Sequence, residues 1–299
     1  MHTDTLHEPS DHLDWNESLY FNFYDRANDV CGFMRIGLKP NRDETSMFCF
    51  LLMPDGSILG MKGAEAHRGE LSAKGLSYRM VEAERLWGIG YEGALGKMGA
   101  EGPIPVPVRF DLSFECLNDV FDYRRCVSGE AERVSQRVAA EHLEQFGRVR
   151  GSLSVGDDRY EIDGLGERDH SWGVREWTAP RMWIWLTAEF DADLALNLTS
   201  LDMEVMRVDA GFVHIDGEDL AIVGADVETS YAPGGAPESL LMTLRDERGG
   251  THEVRGEVVR LATLPFTEGD SRSIMYETLT RYELDGRIGY GIAEYLIRE

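Results

Sequence analysis

Between Gly164 and Trp177 the chain reads Gly-Leu-Gly-Glu-Arg-Asp-His-Ser-Trp-Gly-Val-Arg-Glu-Trp. Three acids, one histidine, two arginines and two tryptophans share this stretch, and proton transfer is the chemistry they suit. Burial in an apolar barrel raises a carboxyl pKa, so Asp169 held protonated is a candidate general acid for an alkene or an alcohol oxygen. His170 titrates near neutrality and is a candidate to orient Asp169 or share its proton. Arg168 and Arg175 are placed to position the loop or a polar substrate group. Trp172, Trp177, Trp183 and Trp185 are candidates to shape a pocket and to stabilise developing positive charge through their ring faces.

Other chemistries fit less well. Gly164-Leu165-Gly166 lacks the third glycine and the following helix of a dinucleotide fingerprint. No GxSxG elbow exists, and Ser171 and His170 are neighbours on an extended chain, which points them to opposite faces. His142 and His170 show neither HxH nor HExxH spacing, so no metal is expected; a metal held by Asp169, His170 and a third carboxylate is a minor alternative. The same residues also admit a purely structural role. Arg168, Asp169 and Arg175 would then form an ion network, His170 a bonded core histidine, and Trp172-Gly173 a packing wedge.

The elements that must hold these residues read as strands. Leu19–Tyr24, Phe33–Leu38, Met47–Met53 and Arg109–Leu117 are short apolar or alternating runs, and Pro54-Asp55-Gly56 closes one of them. The second half repeats the style from Ser152 to Leu284, with hairpin signals at Asp216-Gly217, Arg248-Gly249-Gly250 and Asp285-Gly286. Near the C-terminus Tyr290, Ile292 and Glu294 share one face, which turns Glu294 inward. Set against Arg168 or Arg175, it makes an ion pair in preference to a second acid. One stretch, Glu130–Phe146, reads as a linking helix with a weak apolar face. Many short strands with frequent turns indicate barrels or sandwiches, and the length fits two barrels.

Bulk composition narrows the partners. Lys plus Arg is 30 against 54 Asp plus Glu, a net charge of −24, which disfavours phosphate backbones and anionic lipid surfaces. No nucleic-acid partner and no membrane span are expected. Met1–Trp15 is polar, unlike a signal peptide, and the four cysteines show no CxxC pair. A cytoplasmic protein with free thiols is the expectation.

Arg168-Asp169-His170-Ser171-Trp172-Gly173-Val174-Arg175, after Gly164-Leu165-Gly166, resembles the DHxWG signature of the carotenoid hydratase and AttH-like superfamily. The run His142-Leu143-Glu144-Gln145, the stretch Gly147-Arg148-Val149-Arg150-Gly151, the start at Asn16–Phe23 and the end at Gly289–Tyr295 look like a bacterial branch of it. Glu167 stands where biosynthetic members tend to carry Tyr, and Ser171 where they often carry Asn. The resemblance implies an all-β fold of two tandem lipocalin-like (calycin-type) antiparallel β-barrels, here joined by the short linking helix, and a pocket for a large apolar molecule. It also implies no organic cofactor, and it matches Asp169 and His170 to the signature's Asp-His pair.

The expected organisation is a flexible tail at 1–15, one barrel at 16–147 and a second at 148–299. The expected activity is that of a cofactor-independent hydratase, isomerase or cyclase acting by proton transfer on a terpenoid- or steroid-like molecule. Asp169 and His170 are the catalytic candidates, and Arg168, Trp172, Arg175, Trp177, Trp183, Trp185, Tyr290 and Glu294 the substrate-binding ones. The alternative is a non-catalytic carrier of a hydrophobic ligand or lipid. The sequence leaves the oligomeric state open.

Overall fold

The computed structural model describes residues 3–99, 102–129, 132–133, 141–174, 180–203, 206–268 and 271–298. The chain divides into two compact units, residues 1–120 with 142–175 and residues 121–141 with 176–299. The first strands are β1 (Trp15–Asp25), β2 (Val30–Lys39), β3 (Glu44–Leu52), β4 (Ile58–Glu65), β5 (Ser72–Ala73), β6 (Leu76–Glu82), β7 (Leu86–Lys97) and β8 (Ile104–Cys116). The short β9 (Phe121–Asp122) precedes the long hairpin β10 (Glu141–Val155) and β11 (Asp158–Val174). The remaining strands are β12 (Met182–Glu189), β13 (Leu194–Asp202), β14 (Arg207–Ile215), β15 (Glu218–Tyr231), β16 (Pro237–Asp246), β17 (Thr251–Glu268), β18 (Ser271–Leu284) and β19 (Arg287–Arg298).

In the first unit the hydrogen-bonded order is β4-β3-β2-β1-β11-β10-β8-β7. Leu59 and Gly60 of β4 pair with Lys97 and Gly96 of β7, which closes these strands into an antiparallel ring. In the second unit β12 to β19 form a closed barrel in sequence order. The expected tandem barrels are therefore present. The first lumen is filled by Leu19, Phe21, Ile36, Trp87 and Phe114 among others. Phe21 meets Tyr78, Trp87 and Phe114 at ring-centroid distances of 4.8, 5.8 and 5.3 Å, mostly edge to face. The second lumen holds Ile184, Leu186, Ala188, Leu198, Met242 and Tyr295.

The hairpin signals are borne out. Asp216-Gly217 and Asp285-Gly286 take positive φ at both residues, 54° and 80° in one turn and 50° and 78° in the other, which suits the right-handed strand twist. Gly164 and Gly166 have a different use. A Cβ at Gly166 would lie 1.9 Å from the carbonyl oxygen of Asn22, so a missing side chain lets β11 close onto β1 just before the acidic segment.

Three expectations differ from the structure. Glu141–Phe146, assigned to a helix, is the start of β10. Residues 134–140 of that assignment lie outside the described residues. Leu143 and Gln145 turn to the lumen while His142 and Glu144 turn away, a period-2 pattern that the alanines before it obscured. The boundary expected at 147/148 falls inside β10. That strand pairs with β8, and β11 pairs with β1, so both are needed to complete the first ring. The segment expected as a mobile tail is anchored. Thr3 donates to Glu84 Oε1 from its backbone N–H (3.0 Å) and its hydroxyl (2.8 Å), Asp4 is buried, and Asn41 Nδ2 donates to the carbonyls of Ser10 and His12. Among the described residues no helix is long and apolar enough to cross a membrane, and the four cysteines are free.

Candidate functional site

β11 carries the acidic segment along the seam between β1 and β10. Its register against β1 sets Trp172 opposite Glu17, His170 opposite Leu19 and Arg168 opposite Phe21. Leu19 and Phe21 belong to the lumen core, so Arg168, His170 and Trp172 face the lumen too. The alternate residues sit the other way, Ser171 opposite Ser18 and Asp169 opposite Tyr20. Asp169 and His170, expected to act together, therefore lie on opposite faces of one strand. The reason is the strand period that separates Ser171 from His170. For the same reason they cannot hold one metal ion.

On the lumen side Arg168 is 2% exposed and its charge is matched inside the first unit. Arg168 Nη1 lies 2.8 Å from Asp4 Oδ1, a close ion pair without hydrogen-bond alignment, and Arg168 Nε donates to Gln145 Oε1 at 2.9 Å. The guanidinium also lies 5.5 Å from the ring centroid of Trp87. The expected partner Glu294 is replaced by Asp4, from the segment read as a tail. Further along the same face, Glu17 Oε1 accepts from both His7 Nδ1 (2.7 Å) and His170 Nε2 (2.9 Å). His7 stacks on Trp172 with ring centroids 3.8 Å apart and planes 13° from parallel. Burial pushes the Glu17 carboxyl up. The hydrogen bonds from His170, the His7 ring and the His7 N–H outweigh it and leave the group below its usual range.

On the outward face Asp169 accepts at both oxygens. Ser171 Oγ donates to Oδ1 at 3.0 Å, and His142 Nε2 lies 2.9 Å from Oδ2. The same His142 nitrogen lies 2.7 Å from Glu144 Oε1. Burial would lower the imidazole pKa, but the Asp169 and Glu144 carboxylates raise it to about 9. Raised in this way, the His142 imidazole keeps its proton at neutral pH beside two carboxylates. Glu144 is 1% exposed and Glu167 is fully buried. The Glu167 backbone N–H donates to Asn22 Oδ1 at 3.0 Å.

In the second unit Trp185 lies opposite Glu294 across β12 and β19, and Glu294 lies opposite Glu277 across β19 and β18. Trp183 and Tyr290 share that face, since lumen positions alternate with them at Ile184, Leu186, Ala293 and Tyr295. Glu294 therefore points away from the lumen, contrary to expectation, while remaining 9% exposed. Trp183 and Trp185 are buried on the same outer face. Arg175 and Trp177 lie outside the described residues.

Sequence reasoning missed His142 and Glu144 as functional groups and passed over Asp4, His7 and Glu17. A usable signal existed in two places. His142-Leu143-Glu144-Gln145 alternates like a strand, and Glu17 sits in period with Leu19 and Phe21, where a buried acid needs a partner.

The tandem-barrel fold is shared with several solved structures of low sequence identity. Kievitone hydratase from Nectria haematococca superposes with a TM-score of 0.62 at 12% identity, over 94% of this chain and 88% of that one. An AttH-type protein from Nitrosomonas europaea gives 0.61 at 11% identity, over 98% and 97%. CghA, solved with Sch210972, gives 0.61 at 8% identity, over 99% and 93%. No curated protein matches the sequence. The chain belongs to the family described as domain of unknown function DUF7064, whose model matches residues 1–298.

Proposed function

We propose that this protein is a cofactor-independent hydratase, isomerase or cyclase that moves a proton on an apolar small molecule of terpenoid or steroid-like type. The observation that carries the reading is the buried Asp169–His142–Glu144 cluster. One proton lies between two carboxylates, on an imidazole whose pKa is raised to about 9. A buried group that keeps its proton at neutral pH is what the protonation of an alkene or an alcohol oxygen needs. Asp169 is the group that hands the proton on, and its side chain is the most exposed of the three, at 14%. His142 is the proton reservoir, and Glu144 holds the imidazole in place. His170 keeps no role in the transfer, because it lies on the other face. The shared fold with a hydratase supports the reaction type.

The test is to incubate the protein with terpenoid and steroid alkenes and alcohols and follow hydration, dehydration or cyclisation by mass spectrometry. Asp169→Asn should retain the fold and the thermal midpoint to within a few degrees, and lower turnover on the order of 10²–10⁴-fold. Full turnover in that variant would remove Asp169 from the chemistry. If the wild type retains a co-purifying apolar molecule and converts nothing, and Asp169→Asn retains it equally, the protein is a carrier.

A further inference from the structure

We propose that His7, Glu17 and His170 bind one first-row divalent transition-metal ion of the zinc type, which staples the N-terminal segment to the first barrel. The inference is independent of the proton-transfer reading, since Asp169 and His142 lie on the other face of the sheet.

Three separate stretches supply the donors: the segment before β1, β1 itself and the end of β11. One nitrogen from each imidazole and one Glu17 oxygen all lie within 4.8 Å of one another. The two contacts to Glu17 Oε1, 2.7 and 2.9 Å, are close to the spacing of neighbouring ligands. Bonds of ~2.1 Å to a common ion put adjacent donors ~3.0–3.4 Å apart, so each contact to Glu17 opens by only a few tenths of an ångström on binding. Two imidazoles and one carboxylate form the mixed nitrogen–oxygen set that borderline divalent ions prefer over calcium or magnesium.

Neighbouring groups restrict each donor. His7 is held by its stack on Trp172, and Glu17 Oε2 accepts the His7 backbone N–H at 3.0 Å. The His170 ring lies 5.0 Å from the ring of Trp172. Glu17 and His170 are buried, while the His7 side chain keeps 25% of its surface, which gives an ion its entry. The ion replaces the ring hydrogen bonds to Glu17, so the protons carried on the coordinating nitrogens are released on binding. The result is a segment fixed at two points, Asp4 on Arg168 and His7 through the metal.

The experiment uses the full chain, stripped with EDTA and dialysed. Zn²⁺ is titrated by calorimetry, and Co²⁺ by its visible absorption and by quenching of tryptophan fluorescence. Wild type should take up one equivalent of either ion, and Zn²⁺ should raise the thermal midpoint and slow proteolysis before Trp15. His7→Ala, at a partly exposed position, should fold and bind at least roughly a hundredfold more weakly. His142→Gln should bind as wild type does. No stoichiometric uptake by wild type, equal uptake by His7→Ala, or loss of uptake in His142→Gln would each overturn the site.

Discussion

The two faces of β11 use the same few residue types for opposite ends. Toward the lumen, Arg168, His170 and Trp172 meet Asp4, Glu17 and His7, and each buried carboxylate has a basic partner. Away from it, Asp169 and Glu144 both meet the His142 imidazole. A fully satisfied buried network specifies structure, whereas a buried group whose pKa is shifted by charged neighbours marks a candidate functional site. A single strand thus carries a lock on one side and the proposed proton-transfer cluster on the other, separated by the thickness of a backbone.

The largest expected effect breaks the lock. Arg168→Met leaves the Asp4 carboxylate and the Gln145 oxygen facing an apolar lumen. It should cost about 3–5 kcal/mol in chemical denaturation, because an uncompensated buried charge is the expensive outcome. Adding Asp4→Asn to that variant should recover most of the loss. If Arg168→Met alone is as stable as wild type, the lumen pair contributes nothing and the contrast between the faces fails.

Next in size is the outward face. His142→Gln removes the group that carries the proton, so turnover should fall as far as in Asp169→Asn while the lumen lock stays intact. The two faces should also part company with pH. The His142 pKa is raised from an unfolded value near 6.5 to about 9, so its contribution is fully present below ~6.5 and is lost as pH rises through about 9. The linked stability is on the order of 3 kcal/mol. Glu17 is shifted downward, so its contribution is present above ~4.3 and is lost as pH falls through its lower folded value. Denaturation curves from acid to base should show an acid limb that Glu17→Gln flattens and an alkaline limb that His142→Gln flattens. An alkaline limb unchanged in His142→Gln would mean that the carboxylates do not hold the imidazole's proton.

Much of this is legible in the amino-acid sequence alone. Period-2 runs and Asp-Gly turns indicate barrels or sandwiches, the family resemblance implies tandem barrels, and the charged, tryptophan-rich segment marks the strand of the candidate site. The partners are not legible, for three physical reasons. A stretch of helix-compatible residues before His142 conceals that the next four alternate. Asp4 and His7 sit in a polar segment whose composition says nothing of the buried Arg168 that it neutralises. Asp169 and His170 are adjacent in sequence, and adjacency suggests cooperation where a strand enforces separation. The period that keeps Ser171 from His170 keeps Asp169 from His170 equally.

The smallest effect sharpens the comparison most. Ser171 faces outward, donates to Asp169 Oδ1 and lies 3.3 Å from the Ser18 hydroxyl. The Ser171 hydroxyl helps to orient the Asp169 carboxylate, so Ser171→Ala should loosen that carboxylate. The loss in stability should be about 1 kcal/mol, the worth of one hydrogen bond. Turnover should change by less than about tenfold. Ser171 points away from the lumen network of His170 and Glu17, so zinc uptake and the acid limb of stability should not move. A shift in either would show that the two faces of β11 communicate through the strand.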